Sequence, residues 1–209
     1  MNWQLISFFG DSTVLLPSAA ALFIVLMLRK TSRLLAWQWS LLFGITGAIV
    51  CASKLAFMGW GLGIRELDYT GFSGHSALSA AFWPIFLWLL SARFSVGLRK
   101  AAVITGYVLA AVVGYSRLVI HAHSVSEVIA GLLLGAAGSA LFLVLQKRTP
   151  DPESVNISWG GVACLVMVPL ILLHSGSKAP TQSLLGQIAT AVRPLDKPFT
   201  RTDLHKQAW

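Results

Sequence analysis

Hydrophobic residues in this chain occur in long runs that are separated by short polar connections. A helix needs about 20 mostly apolar residues to cross a bilayer. Six segments come close to that length: residues 5–28, 37–56, 72–90, 101–119, 125–145 and 155–173. Asp11 interrupts the first of them. The pattern predicts an all-α, polytopic membrane protein in which residues 1–174 form a bundle of six transmembrane helices.

The composition excludes a soluble domain and a disordered chain. Hydrophobic residues make up 56% of the sequence and charged residues only 11%, whereas a soluble domain carries about 25% charged residues. The net charge of +8 could suggest nucleic acid. The basic residues lie in short clusters between apolar runs, however, so we interpret them as a membrane topology signal and expect no nucleic-acid partner.

Those basic clusters alternate along the chain and predict an orientation. Three connections hold most of them, with three, three and two basic residues: 29–33, 93–100 and 147–148. The second and fourth connections carry only Lys54, Arg65 and Arg117. The positive-inside rule therefore puts the basic connections in the cytoplasm. The sequence predicts a multi-pass protein of the plasma membrane (the bacterial inner membrane), with both termini and the even-numbered loops on the outer, periplasmic side.

The last part of the chain, residues 175–209, is a basic tail. Leu184, Leu185, Ile188 and Val192 recur near helical spacing, which is typical of an amphipathic surface helix. A partly ordered polar tail is the other interpretation of the same segment.

Small residues recur every four positions in the fifth apolar segment, at Gly131, Gly135 and Ser139. Such spacing lets helices approach closely. We expect a contact between helices of one bundle, with dimerisation as the alternative.

The outer loops contain few charges, but these are of the types that bind phosphate. In chain order they offer Lys54, Arg65, the run 72–76 (Phe-Ser-Gly-His-Ser), Ser116-Arg117, and the 123–127 segment that holds His123 and Glu127. Each has a structural explanation when taken alone. Lys54 can reach up to the membrane interface, Ser73 can cap a helix, and Ser124 with Glu127 fits a capping box.

Taken together, the ordered set resembles the type 2 phosphatidic acid phosphatase superfamily, membrane lipid phosphatases related to glucose-6-phosphatase and vanadium haloperoxidases. That family's signature is Lys-x6-Arg-Pro, then Pro-Ser-Gly-His, then Ser-Arg-x5-His-x3-Asp. The third part is matched in spacing from Ser116 to Glu127, with Glu in place of Asp. The second is matched by residues 73–75, with Phe72 in place of Pro. In the first, Lys54 and Arg65 stand further apart and Glu66 replaces the Pro.

The resemblance implies a metal-independent phosphatase that needs no cofactor. His123 would attack phosphorus to form a phosphohistidine, oriented by Glu127 four residues on, which shares its helix face. His75 would protonate the leaving oxygen. The implied phosphate-binding residues are Lys54, Arg65, Ser73, Gly74 and Arg117. His121 lacks the family spacing, and we expect it to be a bystander.

The predicted site lies at the outer ends of the helices, which favours a phosphate carried by a membrane lipid. We rank undecaprenyl pyrophosphate first, followed by phosphatidylglycerol phosphate, phosphatidic acid and lipid A phosphates. A small transporter is a rival function, because charges within a membrane often line ion pathways. A degenerate phosphatase that binds lipid phosphates without turnover is another, because the Lys54–Arg65 spacing, Phe72 and Glu127 all depart from the signature.

Overall fold

A computed structural model of the chain describes residues 2–147, 157–175, 181–193 and 197–206. Within these ranges the chain is helical, apart from loops and one isolated antiparallel bridge between Ile64 and Tyr69. The all-α prediction is therefore confirmed. The α-helices are α1 Trp3–Phe8, α2 Ser12–Met27, α3 Arg33–Trp60, α4 Gly74–Leu90, α5 Val96–Val119, α6 Val125–Lys147, α7 Trp159–Ser175, α8 Thr181–Val192 and α9 Arg201–Lys206. Two 3-10 helices, Lys30–Ser32 and Arg65–Leu67, lie in loops.

Four helical stretches in the described ranges are long and apolar enough to cross a membrane. They are Trp3–Met27, Lys30–Trp60, Val96–Val119 and Val125–Lys147. The other two predicted spans correspond to shorter apolar helices, Gly74–Leu90 and Trp159–Leu172. With 17 residues, α4 is about 26 Å long, near the lower limit for a bilayer core of about 30 Å. The chain is thus a helical membrane protein, and a sixfold crossing is our interpretation of the two shorter helices.

Helix α4 lies at the centre of the bundle and is buried along most of its length. Its neighbours α5 and α6 approach it through glycine. A Cβ atom at Gly106 would lie 2.5 Å from Pro84 Cα, and one at Gly131 would lie 2.7 Å from Ser73 O. The expectation that the small residues of α6 form a contact inside one bundle is confirmed. This close packing brings the first turn of α6 beside the first turn of α4.

Residues 181–193 and 197–206 fold back onto the bundle. In α8, Leu185 and Ala189 are buried, whereas Leu184 and Ile188 are about half exposed. Further along, Phe199 N–H donates to Met58 O at 2.9 Å. The tail therefore packs against the C-terminal end of α3.

Gly135 offers a test of the α4–α6 contact, because a Cβ atom there would overlap the carbonyl oxygen of Ala77. We expect Gly135→Ala to lower the free energy of unfolding, since overpacking costs about 1–3 kcal/mol and outweighs a gain in helix propensity of up to about 1 kcal/mol. Gly44→Ala on α3 is the matched control, because nothing lies within 4 Å of its Cβ position. The measurement is the thermal midpoint in detergent. Equal midpoints for the two variants would contradict the packing described here.

Candidate active site

Helix ends from five elements meet at one end of the bundle. The C-terminal ends of α3 and α5 lie beside the N-terminal ends of α2, α4 and α6. A backbone hydrogen bond from Ser73 N–H to Glu127 O, 3.1 Å long, joins the starts of α4 and α6. Apart from Arg65, which lies in the loop between α3 and α4, the motif residues lie at or next to these ends, so the fold brings together residues that are more than fifty positions apart.

The turn between α5 and α6 separates the two loop histidines. Arg117 O accepts backbone hydrogen bonds from Ala122 at 3.0 Å and His123 at 3.3 Å. His121 takes a left-handed conformation with φ 53°, which is uncommon for residues other than glycine. The chain reverses there, so His121 is exposed while His123 points back to the bundle and is half-buried.

His123 is hydrogen-bonded to Glu127. The distance from Nδ1 to Glu127 Oε2 is 2.7 Å. An ionised carboxylate can only accept, so Nδ1 must carry the proton. The neutral imidazole then has its free electron pair on Nε2, and this is the tautomer that a nucleophilic histidine needs.

Glu127 is completely buried and receives donors from every side. Thr70 donates its N–H to Oε1 at 2.8 Å and its hydroxyl to the same oxygen. Oε2 accepts the N–H of Ser124 at 3.2 Å and the guanidinium of Arg201 at 2.7 Å, in addition to His123. The Ser124 bonds complete a capping box, since Glu127 N–H also donates to Ser124 Oγ at 3.4 Å. Glu127 therefore caps α6 and contacts His123 at once.

Burial lowers the pKa of His123 below its ordinary value, and the cations Lys54 and Arg117 act in the same direction. The hydrogen bond to Glu127 opposes this but is the smaller effect. Since only the neutral imidazole is nucleophilic, His123 remains competent to a lower pH than an exposed histidine would.

His75, in the first turn of α4, faces Asp11 at the start of α2. Its Nε2 lies 3.5 Å from Asp11 Oδ2. Asp11 is held in place because its other carboxylate oxygen caps α2, accepting the N–H of Thr13 at 2.9 Å. Gly10 allows this approach, because a Cβ atom there would lie 3.1 Å from His75 Cβ. His75 also lies within electrostatic range of His123 and Arg117.

Two cations beside the histidines lack a carboxylate partner. Arg117 donates from Nη1 to Ser7 Oγ at 2.6 Å, and its buried Nε has no hydrogen-bond partner in the described ranges. Lys54 donates to Gln182 Oε1 at 3.2 Å. Neither forms an ion pair with any carboxylate that the structure describes. Positive charge that is not held in a direct ion pair in a half-buried site favours an anionic ligand.

The start of α4 adds backbone donors. Ser73 occupies the N-cap position, but its side chain makes no capping hydrogen bond; its Oγ instead accepts from Ser76 at 2.9 Å. The first N–H groups of α4, from Gly74 onward, thus have no side-chain cap. Such a helix start attracts anions through its N–H groups and its dipole.

Phe72 stands where the family has proline, and the structure gives a reason for this difference. Its N–H donates to Ser53 Oγ at 3.2 Å, a bond that proline cannot make. The preceding residue, Gly71, has φ 137°, and a Cβ atom there would lie 3.3 Å from Lys54 Cγ. The substitution therefore fastens the loop to α3 next to Lys54.

Arg65 lies exposed on the 3-10 helix Arg65–Leu67. The arginine whose guanidinium contacts Glu127 is Arg201, from α9. Arg65 stays a prediction as a phosphate-binding residue, and it lies in a turn between α3 and α4 that the Ile64–Tyr69 bridge closes.

Sequence reasoning missed several residues that contact the site. They are Ser7, Asp11, Thr70, Gln182 and Arg201. Asp11 had a signal, because a carboxylate inside an apolar run is a candidate functional residue by its cost alone. The others are ordinary polar residues, and only their place in the fold brings them to the site.

Comparison with known proteins gives a family match for the part of the chain that holds the predicted site residues. A model of the PAP2 superfamily matches residues 54–150. This part of the chain belongs to the PAP2 superfamily. It is also 99% identical over 209 residues, the whole of both chains, to the uncharacterized 22.5 kDa protein in the cps region of Klebsiella pneumoniae. No solved structure matches the chain.

Membership of the PAP2 superfamily supports phosphatase activity on phosphate esters. The matched residues run from Lys54 past Glu127 and so include every predicted site residue. Asp11 and Arg201 lie outside the match, before and after it. The PAP2 superfamily core of this chain is therefore completed by contacts from both flanking segments.

Glu127 can be tested by removing its charge. We expect Glu127→Gln to lower phosphatase turnover by at least about two decades, since loss of the comparable carboxylate in serine proteases costs about four. It should also lower thermal stability, because an amide N–H2 would face one of the donors around it. Glu127→Asp, which restores the family residue, should keep a substantial part of the activity. The control is Glu66→Gln, an equal charge change at an exposed carboxylate. Near-normal turnover in Glu127→Gln would show that Glu127 acts only as a helix cap.

Proposed function

We propose that this protein is a metal-independent membrane phosphatase that hydrolyses a lipid phosphate or pyrophosphate through a phosphohistidine intermediate. The observation that carries the proposal is the His123–Glu127 hydrogen bond beside Lys54 and Arg117. It combines a neutral nitrogen nucleophile with two cations that form no ion pair within the described residues.

In the first step, His123 Nε2 attacks phosphorus and the bond from phosphorus to the leaving oxygen breaks. Lys54, Arg117 and the N–H groups at the start of α4 stabilise the charge on the other phosphate oxygens. Imidazole becomes positively charged as the N–P bond forms, and Glu127 stabilises that charge through Nδ1. His75 gives its proton to the leaving oxygen.

In the second step, the phosphohistidine is hydrolysed. His75, now neutral, accepts a proton from a water molecule whose oxygen attacks phosphorus. The N–P bond breaks, inorganic phosphate leaves, and both histidines return to their starting states. Asp11 supports this cycle because its carboxylate holds the protonated form of His75 by charge.

The cations and helix dipole neutralise the phosphate, which is the role that a metal ion plays in other phosphatases. Among the residues that the structure describes, no three His, Cys, Asp or Glu side chains come together to hold a metal. The cations and the helix start support the metal-independent form of the reaction.

The location of the cluster supports a lipid substrate. It lies at the ends of helices whose outer surfaces carry exposed apolar side chains such as Ile104, Leu133 and Leu41. A phosphate at this depth stays near the membrane surface while its chains remain in the bilayer. Undecaprenyl pyrophosphate is our first choice, ahead of phosphatidylglycerol phosphate, phosphatidic acid and lipid A phosphates. The transporter alternative is weakened because the ionisable side chains of the site gather at one end of the bundle rather than along a path through it.

The activity is testable with purified protein in detergent. We expect phosphate release from at least one of these four lipids with a chelator present, and inhibition by vanadate, which mimics five-coordinate phosphorus. His123→Ala should abolish release, because the nucleophile is gone. The control is His121→Asn, a change at the exposed neighbour to a residue that tolerates a left-handed conformation; it should keep its activity.

Full activity in His123→Ala would overturn the nucleophile assignment, and loss of all activity on chelation would overturn the metal-independent mechanism. Binding of the lipids with no release from any of them would favour the degenerate phosphatase.

The orientation has its own test, because basic loops are expected in the cytoplasm. In intact cells, with Cys51 and Cys164 replaced by alanine, a cysteine introduced by Leu62→Cys should react with an impermeant thiol reagent, and one introduced by Val96→Cys should not. Both positions are similarly exposed, at 67% and 69%, so a difference in labelling reports the side of the membrane. The reverse pattern would put the site in the cytoplasm.

A further inference from the structure

We propose that Arg201, in the C-terminal tail, is a positioning residue for the Glu127–His123 pair, so that the tail completes the active site. The proposal rests on the function proposed above and assigns a role to a segment outside the residues matched by the family.

Arg201 and His123 bind the same carboxylate oxygen. Arg201 Nη2 lies 2.7 Å from Glu127 Oε2, and His123 Nδ1 lies 2.7 Å from it. The other guanidinium nitrogen, Nη1, donates to the carboxylate of Asp68 and to its carbonyl oxygen, the latter at 2.9 Å. One planar group thus bridges the loop before α4 and the start of α6, and it fixes the oxygen that orients the imidazole.

Helix α9 is itself held in place, so this contact is built into the fold. Leu204 is buried, and His205 Nε2 lies 2.8 Å from Asp68 Oδ1. At the start of α9, Thr200 N–H donates to Asp203 Oδ2 at 2.9 Å. Asp68 adopts a left-handed conformation with φ 47° that turns its carboxylate toward both α9 side chains.

The charge of Arg201 also matters to the pair. Charged and titratable groups from several elements surround the Glu127–His123 pair. They are Lys54 on α3, His75 on α4 with its partner Asp11, Arg117 on α5, Asp68 and Tyr69 in the loop, and Arg201 on α9. A lone Glu127 carboxylate would favour the imidazolium form of His123. Because Arg201 neutralises part of that charge, it keeps His123 neutral and able to attack.

A purely structural explanation is that Arg201 only fastens the tail. Arg193 separates the two explanations, since it also fastens the tail, through a 3.1 Å hydrogen bond from Nη1 to Gly59 O, but does not contact Glu127 in the structure. Arg193→Gln therefore loosens the tail without changing the charge beside the pair.

The experiment compares Arg201→Gln, Arg201→Lys and Arg193→Gln with the unchanged protein in detergent. The pKa of His123 is followed by NMR on 15N-histidine-labelled protein, with its signal assigned by its loss in His123→Gln. We expect Arg201→Gln to raise this pKa by at least about half a pH unit, to move the acid limb of kcat/KM upward with it, and to lower kcat at least about tenfold. Arg201→Lys should keep the pKa near its original value, and Arg193→Gln should change neither pKa nor kcat.

An unchanged His123 pKa in Arg201→Gln, or equal shifts in Arg201→Gln and Arg193→Gln, would overturn the proposal. The two proposals can fail separately. If the unchanged protein releases no phosphate from any lipid tested, the proposed function fails, while the NMR titration still decides whether Arg201 controls the Glu127–His123 pair.

Discussion

The burial of one carboxylate constrains the arrangement of the whole site. Glu127 has no exposed surface, and an unpaired charge in that position would destabilise the fold by several kcal/mol. It is accommodated because donors reach it from the loop before α4, from the turn before α6, from His123 and from α9. Each donor that hydrogen-bonds to Glu127 also fixes the position of its own segment. The contacts that satisfy this carboxylate are therefore the contacts that assemble the site.

The packing that makes this possible depends on small residues. Glu127, Gly131 and Gly135 follow one another at four-residue intervals on the face of α6 that meets α4. The glycines let the two backbones come within direct contact, and the same close approach puts Ser73 N–H on Glu127 O. A bulkier face would separate the helices and with them His123 from the start of α4. In this bundle, therefore, the face of α6 that allows close helix packing also positions the site.

The segments before and after the residues that match the family both contact the predicted site. From the N-terminal side, Ser7 binds Arg117 and Asp11 faces His75. From the C-terminal side, Gln182 binds Lys54 and Arg201 binds Glu127. Each of these four contacts goes to one of the site residues predicted from the sequence.

Sequence alone determined what depends on short spacing. Apolar run length predicted the helices, and the four-residue interval from His123 to Glu127 predicted their pairing, because residues so spaced share a helix face. The same local rules allowed both a capping box and a histidine partner for Glu127, and the structure contains both. Contacts between distant segments could not be read in this way. Asp11 meets His75 and Arg201 meets Glu127 across 64 and 74 positions, respectively, and no periodicity links them. Those pairs were decided by how the helices pack, since only the tertiary fold determines which polar side chains reach a buried charge.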